Sequence, residues 1–431
     1  MWGRDRARRR LTVDHFPINR KMVREFRTGG RGRMAEQARF HDQMLRERLP
    51  RSRTAFVSGP RQVGKTTACR ALSPWYLDWH DAADRLIILK GPQSVAQHLN
   101  LERSREREVT VVIDNLHGHR NWKDFLRKFN ARYGARVRLV VTMLDAAPDK
   151  KKTLPPNTSL VRINPWTVGE CARTVPTDSP VKPPAAISDE DWSALLEHGG
   201  YPEPFRKRDP KFTQRWHARR QAQLLEHDLP GLVAVRDPAP LQMLAWLLAE
   251  CSATPLIYSN LSRELSVTVD TVTRWLDLLV GLQYGFCVRP WFAGVPKALR
   301  KEPRWFLRDW SAVAEPLARM RTFVACHLLK AVQGWADLGL GQFELRYVRD
   351  KLKREVDFLV LRDRRPWFLV VVSRDAPRDG AVAPALEYFQ RITRARHAFQ
   401  LVLDGPFCDA DCFARSEPAV VAARTLLSQL L

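Results

Sequence analysis

The stretch TAFVSGPRQVGKTTACRAL, residues 54–72, carries the strongest structural signal in the first half of this chain. The apolar run TAFVS predicts a buried strand, and the segment after Gly64 predicts a helix. Between them, Gly59 to Thr66 fit the pattern Gly-x-x-x-x-Gly-Lys-Thr, a phosphate-binding loop or Walker A motif. The glycines let backbone N–H groups turn toward a phosphate, and the helix N-terminus adds partial positive charge. We therefore expect this loop to hold the phosphates of a nucleotide.

The residue types in the loop predict ATP with Mg²⁺ as the ligands. Lys65 is expected to reach the β- and γ-phosphates, and the hydroxyl of Thr66 to bind the metal. The predicted ATP-binding residues are Gly59, Pro60, Arg61, Gln62, Val63, Gly64, Lys65, Thr66 and Thr67.

A second apolar run, VTVVID, ends at Asp114 and supplies the candidate Walker B acid. An acid at this place orients magnesium, so Thr66 and Asp114 are the predicted metal ligands. Most ATP-hydrolysing relatives place a glutamate next, but this chain has Asn115, and an amide cannot act as a base. The sequence therefore predicts ATP binding and leaves hydrolysis open.

Two further kinds of candidate residue, a γ-phosphate sensor and an arginine finger, have weaker sequence signals. Thr142 ends the predicted strand 137–142 and is a candidate for contact with the γ-phosphate, with a purely structural threonine as the alternative. No arginine stands out as an arginine finger, although Arg61 and Arg162 are candidates. The proposed catalytic set is thus Asp114, Asn115 and Thr142.

The composition fits a folded chain of two or three domains. Its 431 residues are 45% hydrophobic, yet no apolar run approaches the roughly 20 residues that cross a bilayer. The arginine-rich N-terminus has no secretory signal pattern. Seven scattered cysteines, an odd number, suit reduced thiols better than a disulfide framework. We expect a cytoplasmic protein without a membrane partner.

The charge of the chain is strongly basic. Lys and Arg number 71 against 47 Asp and Glu, which gives a formal net charge of +24. Such a balance attracts phosphate backbones, so double-stranded DNA or another nucleic acid is a candidate partner. A coding bias toward arginine explains the same count, and both interpretations stay open. The oligomeric state, including a homo-oligomer, is also left open.

Four regions follow from the patterns along the chain. Residues 1–33 form a basic extension without amphipathic period, predicted to be disordered, with Met34 as an alternative start. Residues 34–175 alternate short strands with helices, which indicates a parallel sheet covered by helices. Residues 186–295 are mainly helical, and residues 296–431 return to an α/β pattern. The segment 149–159 is predicted to be an exposed loop.

The helical region contains a helix-turn-helix pattern. The segment IYSNLSRELSVTVDTVTRWLDLLVGLQY, residues 257–284, predicts two helices joined by a tight turn. Thr268 or Asp270 can cap the second helix. We expect a winged helix, and both a DNA-contacting and a structural or dimerising role remain open.

From Met34 onward the chain resembles prokaryotic AAA-type ATPases fused to a C-terminal domain of unknown function 4143. The resemblance is carried by the helix-turn-helix pattern and by six motifs: GPRQVGKTT from Gly59, IDNLHGHRNWKDFL from Ile113, NPWT from Asn164, GGYPEPF from Gly199, LLEHD from Leu224 and RDKLKREVDFLV from Arg349.

The resemblance also implies a restriction-endonuclease-like fold for the C-terminal domain. An active site of that type needs a helix Glu, an Asp and a strand Glu-x-Lys to hold metal and water. Asp357 occupies the aspartate position, but Arg321 stands near the helix glutamate, and Val371 and Ser373 replace the Glu and Lys. One carboxylate cannot assemble such a metal site. The resemblance therefore implies a nuclease-like scaffold without nuclease chemistry.

Three functions are compatible with these sequence features. The first is an AAA ATPase with slow or partner-stimulated hydrolysis that is coupled to DNA binding. The second is a non-hydrolysing, ATP-gated switch that binds nucleic acid or regulates a partner. The third is a metal-dependent nuclease, which is kept only because Asp357 remains.

Overall fold

The computed structural model describes residues 39–103, 107–144, 157–173, 179–229, 239–292, 302–377 and 381–431. The predicted basic extension, residues 1–33, lies outside this part of the chain. Within the described residues, no helix combines the length and the apolar character that a bilayer crossing requires.

A five-stranded parallel sheet forms the first part of the fold, in the spatial order β2-β3-β4-β1-β5. Strand β4 is the central strand and separates β1 from β3. The strands are β1 (Thr54–Ser58), β2 (Trp75–Asp78), β3 (Val109–Asp114), β4 (Val137–Met143) and β5 (Thr158–Arg162).

The sequence predicted β1, β3 and β4, and these strands are confirmed. Strand β2 was missed because it has only four residues. The predicted exposed loop 149–159 is wrong at its end, since Thr158 and Ser159 begin β5. These polar residues pair with β1 at the edge of the sheet, where half-buried polar side chains are tolerated.

Helices cover this sheet, and α3 begins at an N-capping residue. Asp81 caps α3 by accepting from the backbone N–H groups of Ala83 and Asp84. In α5, Phe125, Leu126 and Phe129 are buried at helical spacing. The helices are α1 (Phe40–Arg48), α2 (Lys65–Leu72), α3 (Ala82–Leu89), α4 (Pro92–His98), α5 (Trp122–Tyr133) and α6 (Val168–Ala172).

The middle of the chain is helical, as predicted. Its helices are α7 (Asp189–His198), α8 (Pro202–Lys207), α9 (Pro210–Gln223), which continues into a π-turn at Leu224–Asp228, α10 (Ala239–Glu250), α11 (Tyr258–Glu264) and α12 (Val269–Gly281). Of the two predicted caps of α12, Thr268 is the one used, because its hydroxyl accepts from the N–H of Thr271 at 3.2 Å.

An antiparallel pair, β6 (Gly285–Pro290) and β7 (Arg304–Leu307), follows these helices. Three helices and then two antiparallel strands match the element order of a winged helix, and the winged-helix assignment stays a prediction. Strand β6 also pairs with β8, so the second sheet continues across the predicted boundary at residue 295.

The second sheet is mixed and has seven strands in the order β12-β11-β10-β9-β8-β6-β7. Its remaining strands are β8 (Phe343–Arg349), β9 (Glu355–Arg362), β10 (Arg365–Ser373), β11 (His397–Val402) and β12 (Ala419–Ala422). The accompanying helices are α13 (Pro316–Asp337), α14 (Pro384–Thr393) and α15 (Ala423–Ser428). The nuclease-like assignment of this region stays a prediction.

The largest buried apolar cluster joins the two sheets. It includes Ala55 of β1, Trp216 of α9, Phe323 of α13 and Phe358 of β9. Two smaller clusters, one in each sheet region, are separate from it. The long helix α13 contributes to the shared cluster and contacts both the first sheet and the second.

Candidate nucleotide-binding site

The loop between β1 and α2 has a backbone that depends on its two glycines. A Cβ on Gly59 would lie 2.4 Å from the carbonyl oxygen of Ile163, so no side chain fits there. Gly64 has φ +104°, a left-handed conformation that glycine adopts without strain. Helix α2 begins directly after it, at Lys65. The N-terminus of the helix is thus directed at the loop, as a phosphate site requires.

Lys65 lies folded over the loop. Its Nζ donates to the carbonyl oxygens of Gly59 and Pro60, each at 2.8 Å. Burial lowers the pKa of Lys65 to about 8, and the nearby Arg61 adds to this effect, while Asp114 opposes it. A phosphate would replace these carbonyl contacts and restore a full counter-charge to the ammonium group.

Asp114 is fully buried and accepts hydrogen bonds from three hydroxyl groups. Thr66 Oγ1 and Tyr76 Oη each donate to Asp114 Oδ2 at 2.6 Å, and Thr142 Oγ1 donates to Oδ1. Thr142 reaches this position because β4 lies between β1 and β3. Burial and the bond to Asp114 raise the pKa of Tyr76. Thr66, Asp114 and Thr142 were all predicted as site residues from the sequence, but Tyr76 was not.

Asn115 occupies a constrained position beside Asp114. Its φ is 58°, and its backbone N–H donates to Thr142 Oγ1 at 2.8 Å. Its side-chain Nδ2 donates to Asp78 Oδ1 at 3.1 Å. Asp78 ends β2 in register with Asp114 on β3, so the neighbouring strand brings a second carboxylate to this edge of the sheet. Asp78 was not predicted, because β2 itself was missed.

A cavity of about 580 Å³ opens over the loop. One wall comes from the loop and Asn115, and the other comes from α8 and α9. The second wall was not predicted, although the basic pair directly after GGYPEPF was a usable signal. It consists of Pro202, Glu203, Arg206, Lys207 and Gln223.

Arg206 and Lys207 face this cavity as exposed cations. Neither forms an ion pair with another described residue. Lys65 and Arg61 also line the cavity, which gives it four basic side chains against one acid, Glu203. This excess of positive charge suits a ligand with several negative charges.

The side chains of the two arginine-finger candidates both form ion pairs within the chain. Arg61 makes a two-pronged contact with the buried Asp228, with Nε–Oδ2 and Nη2–Oδ1 distances of 2.6 Å. Arg162 pairs with Asp337 of α13, and both side chains are buried. The structure therefore places Arg61 at the rim of the cavity and does not bring Arg162 to it.

A buried ionic cluster holds the loop from behind. Arg39 donates to the loop carbonyl of Val63 at 3.1 Å, and to the carboxylate of Glu170 at 3.0 Å. Lys330 of α13 contacts the same carboxylate and donates to Pro165 O at 3.1 Å. Burial raises the pKa of Glu170. The positive charges of Arg39 and Lys330 outweigh this effect and lower the pKa of Glu170 to about 2. The cluster links the loop directly to α13.

The C-terminal Asp357 has a different environment. Arg321 Nε lies 3.1 Å and Arg304 Nη1 3.5 Å from its Oδ1, and the N–H of Val372 donates to Oδ2 at 2.9 Å. The predicted neighbour Ser373 accepts from Gln400 at 3.1 Å. Among the described residues, no group of three or more His, Cys, Asp or Glu side chains is arranged to hold a metal ion.

Magnesium fits the loop site better than the Asp357 site. The hydroxyl of Thr66 and the carboxylate of Asp114 are 2.6 Å apart, and both are hard oxygen donors. Phosphate-linked magnesium commonly takes only one or two protein ligands and completes its shell with phosphates and water. The pair Thr66 and Asp114 therefore meets this requirement.

Comparison with known proteins agrees with this geometry. Residues 51–171 match the family described as an AAA domain. Residues 189–319 match a domain of unknown function, DUF8612. The predicted domain of unknown function 4143 is thus not confirmed.

Two mycobacterial proteins are similar over most of the chain. Uncharacterised proteins of Mycobacterium tuberculosis and Mycobacterium bovis are each 24% identical over 357 residues, which cover 77% of this chain and 73% of the relative.

Similarity to solved structures is more remote. The Walker-type ATPase of Pyrococcus abyssi is 14% identical with a TM-score of 0.40, over 63% of this chain and 93% of that one. The DNA clamp loader delta protein of Bacillus subtilis is 10% identical with a TM-score of 0.25, over 55% and 87% of the two chains. TM-scores this low support no functional conclusion. The family match and the loop together identify residues 51–171 as an AAA-type P-loop ATPase domain.

Proposed function

We propose that this chain binds Mg-ATP in the cavity over residues 59–66 and hydrolyses it slowly, with hydrolysis coupled to binding of double-stranded DNA. One observation carries the ATP part of the proposal. Lys65, Thr66 and Asp114 lie together at one edge of the parallel sheet, and Arg206 and Lys207 face the same cavity. These groups supply cations for a triphosphate and oxygen ligands for its metal.

The role of each residue follows from its position. The loop backbone and Lys65 bind the phosphates, and Thr66 and Asp114 hold the magnesium ion. Bound there, the ion neutralises charge that develops on the phosphate oxygens. Pro202 and Gln223 form the opposite wall of the cavity and help to exclude water.

Slow hydrolysis is proposed because Asn115 stands at the usual glutamate position. Its Nδ2 is held by Asp78, which leaves Oδ1 as the acceptor for a water in the cavity. The water oxygen attacks the γ-phosphorus, and the bond to the β,γ-bridging oxygen breaks with its electron pair going to ADP. The water proton passes to a γ-phosphate oxygen, because an amide does not accept it. Asn115 orients the water without activating it.

The second candidate is an ATP-gated switch that does not hydrolyse ATP. The buried cluster of Arg39, Glu170 and Lys330 favours it, since this cluster connects the loop carbonyl of Val63 to α13. Bound nucleotide would then change the position of the downstream region without any chemical step.

Nuclease activity is the third candidate and has the least support. Two guanidinium groups, of Arg304 and Arg321, contact the carboxylate that a metal would need. A divalent cation would meet two positive charges there. The residues around Asp357 do not fit a metal, and no nuclease step is proposed.

The test measures ATP binding and phosphate release together, with and without duplex DNA, on wild type and Lys65→Ala. We expect Lys65→Ala to weaken ATP binding by roughly 10²-fold or more, because a buried cation that contacts the phosphates is lost. Lys90→Ala, an exposed lysine outside the cavity, is the matched control.

Each result separates the candidates. DNA-stimulated release that Lys65→Ala abolishes supports the coupled ATPase. Binding without release under any condition supports the switch. Wild type that binds no ATP would refute both proposals.

A further inference from the structure

We propose that duplex DNA is bound by a basic surface of the C-terminal region and not by the recognition helix of the predicted winged helix. This C-terminal basic surface consists of the tip of the β8–β9 hairpin and a cleft at the end of α14. Its residues are Lys351, Leu352, Lys353, Arg391, Arg394 and Arg396. This inference rests on the coupling to DNA in the proposed function, and it assigns the surface on which the DNA binds.

The tip of the hairpin exposes two ammonium groups and one apolar side chain. Arg354 pairs with Asp350 at 2.7 Å, so the only acid in the turn is already engaged. Lys351 and Lys353 are exposed, and neither pairs with another described residue. Leu352 between them is 73% exposed, the highest value for a large apolar residue in the described part of the chain. An apolar residue this exposed indicates a contact surface.

The cleft at the end of α14 concentrates arginines. It has a volume of about 460 Å³ and is lined by Arg391, Arg394 and Arg396, with Glu387 as the sole acid in its wall. All three arginines are exposed, and none forms an ion pair with a described residue. Their guanidinium groups are therefore available to phosphate oxygens, which they bind well.

The base of the hairpin packs on α14, the helix that bears the cleft. The guanidinium carbon of Arg354, at the base of the hairpin, lies 3.6 Å from the ring centroid of Tyr388 on α14. Tyr388 and Arg391 are three residues apart on this helix, and residues at that spacing are neighbours on a helix face. The stacking thus places the hairpin next to the arginine-lined cleft.

The recognition helix α12 has the opposite charge. Its exposed charged residues are Asp270, Arg274 and Asp277, so its outer face carries one cation and two anions. Carboxylates at these places repel a phosphate backbone. The net charge of +24 is therefore not spread evenly, and the helix-turn-helix pattern marks an unfavourable face for DNA.

The chemistry of the C-terminal basic surface fits a duplex better than a single strand. Single-stranded binding depends on aromatic rings on which bases stack. Tyr388 is half-buried and has Arg354 over one face of its ring, so that face is not available for base stacking. Exposed lysines such as Lys351 and Lys353 can neutralise backbone phosphates of a duplex. An apolar side chain such as Leu352 can insert between base steps from the minor groove.

The experiment measures binding of a labelled mixed-sequence DNA duplex by fluorescence anisotropy at several salt concentrations. The variants are Lys351→Glu with Lys353→Glu, Arg391→Glu with Arg394→Glu, and Leu352→Ser. The matched control is Arg274→Glu on α12. ATP binding is measured on every variant as a check of folding, since none of these residues lines the loop cavity.

We expect each charge-reversed pair to weaken duplex binding by about tenfold or more and to reduce the salt slope by about 0.9 per lost phosphate contact. Leu352→Ser should weaken binding less and leave the salt slope unchanged, because it removes no charge. Arg274→Glu should stay within about twofold of wild type, since a rim charge remote from the phosphates contributes little.

Other results would overturn the inference. Loss of binding in Arg274→Glu, with normal binding by both charge-reversed pairs, would refute this location but keep DNA coupling. Wild type that binds no duplex would refute the coupling itself. Tighter binding of single strands, or binding of anionic lipid vesicles in place of duplex DNA, would show that the surface has another partner.

Discussion

Asp114 and Asp357 are both buried aspartates on strands of a sheet, yet their surroundings give them different chemistry. Three hydroxyl groups donate to Asp114. Two guanidinium groups contact Asp357, with Arg321 Nε at 3.1 Å. Hydroxyl donors can turn away or join a metal shell, whereas a guanidinium group already occupies the place of a cation. The partners of a carboxylate, and not its burial, decide whether it can serve a metal.

The same substitution at the two sites should therefore separate chemistry from stability. We expect Asp114→Asn to reduce phosphate release by roughly 10²–10³-fold, because an amide binds magnesium more weakly than a carboxylate and the ion that stabilises the reacting phosphates is then poorly held. Asp357→Asn should leave release unchanged. It should lower the free energy of unfolding by about 2 kcal/mol, since the buried guanidinium of Arg304 loses a counter-charge and keeps only Glu355.

Urea unfolding and phosphate release on both variants measure this contrast. A normal unfolding midpoint for Asp357→Asn would mean that its ion pairs contribute nothing to stability. Normal release by Asp114→Asn would remove Asp114 from the metal site.

A carboxylate introduced at residue 115 tests how this position acts on the attacking water. Asn115→Glu is expected to accelerate phosphate release by up to roughly 10²-fold, because a general base replaces a group that only orients the water. Asp78 contacts residue 115, so two carboxylates would then repel each other.

The double variant Asn115→Glu with Asp78→Asn removes that repulsion and should be faster than Asn115→Glu alone. Asp78→Asn by itself is the control, since its amide oxygen still accepts from Asn115. Unchanged release in both Asn115→Glu variants, measured at saturating ATP, would argue that residue 115 does not face the attacking water.

The smallest predicted effect concerns pH. Burial lowers the pKa of Lys65 from 10.5 to about 8, so its ammonium group is charged below pH 8 and is neutral above it. ATP affinity should therefore be constant below this value and fall by up to about tenfold per pH unit above it. Isothermal titration from pH 7 to 9.5 measures the decline, and Lys65→Arg should remove it, because arginine keeps its charge. A flat profile for wild type would show that Lys65 stays protonated throughout.

The same change of charge affects folding in the opposite direction. The pKa of Lys65 is lower in the folded chain than the ordinary value of 10.5, so the unfolded chain holds the proton more tightly between pH 8 and 10.5. The contribution of Lys65 to stability therefore rises with pH across this window, as its buried charge is removed.

Features of the site that depend on neighbouring residues could be predicted from the sequence. Gly59, Gly64 and Lys65 lie within one loop, and the apolar runs on either side fix a strand and a helix. Asp114 was found because it ends the next long apolar run. The change from glutamate to asparagine at residue 115 was visible because its place is defined relative to Asp114.

The other features of the site could not be predicted, because they depend on contacts between residues that are far apart in the chain. Parallel strands bring Tyr76 and Asp78 beside Asp114 from a strand too short to be predicted. Arg206 and Lys207 reach the loop cavity only because α8 packs over it.

Charge showed the same limit. The sequence contains 71 lysines and arginines. The packing shows which of the described ones neutralise buried acids and which are exposed to a binding partner. The physical reason is that a long, flexible side chain can reach several partners. The packing of distant elements determines which partner it contacts, and the residues next to it in the chain do not.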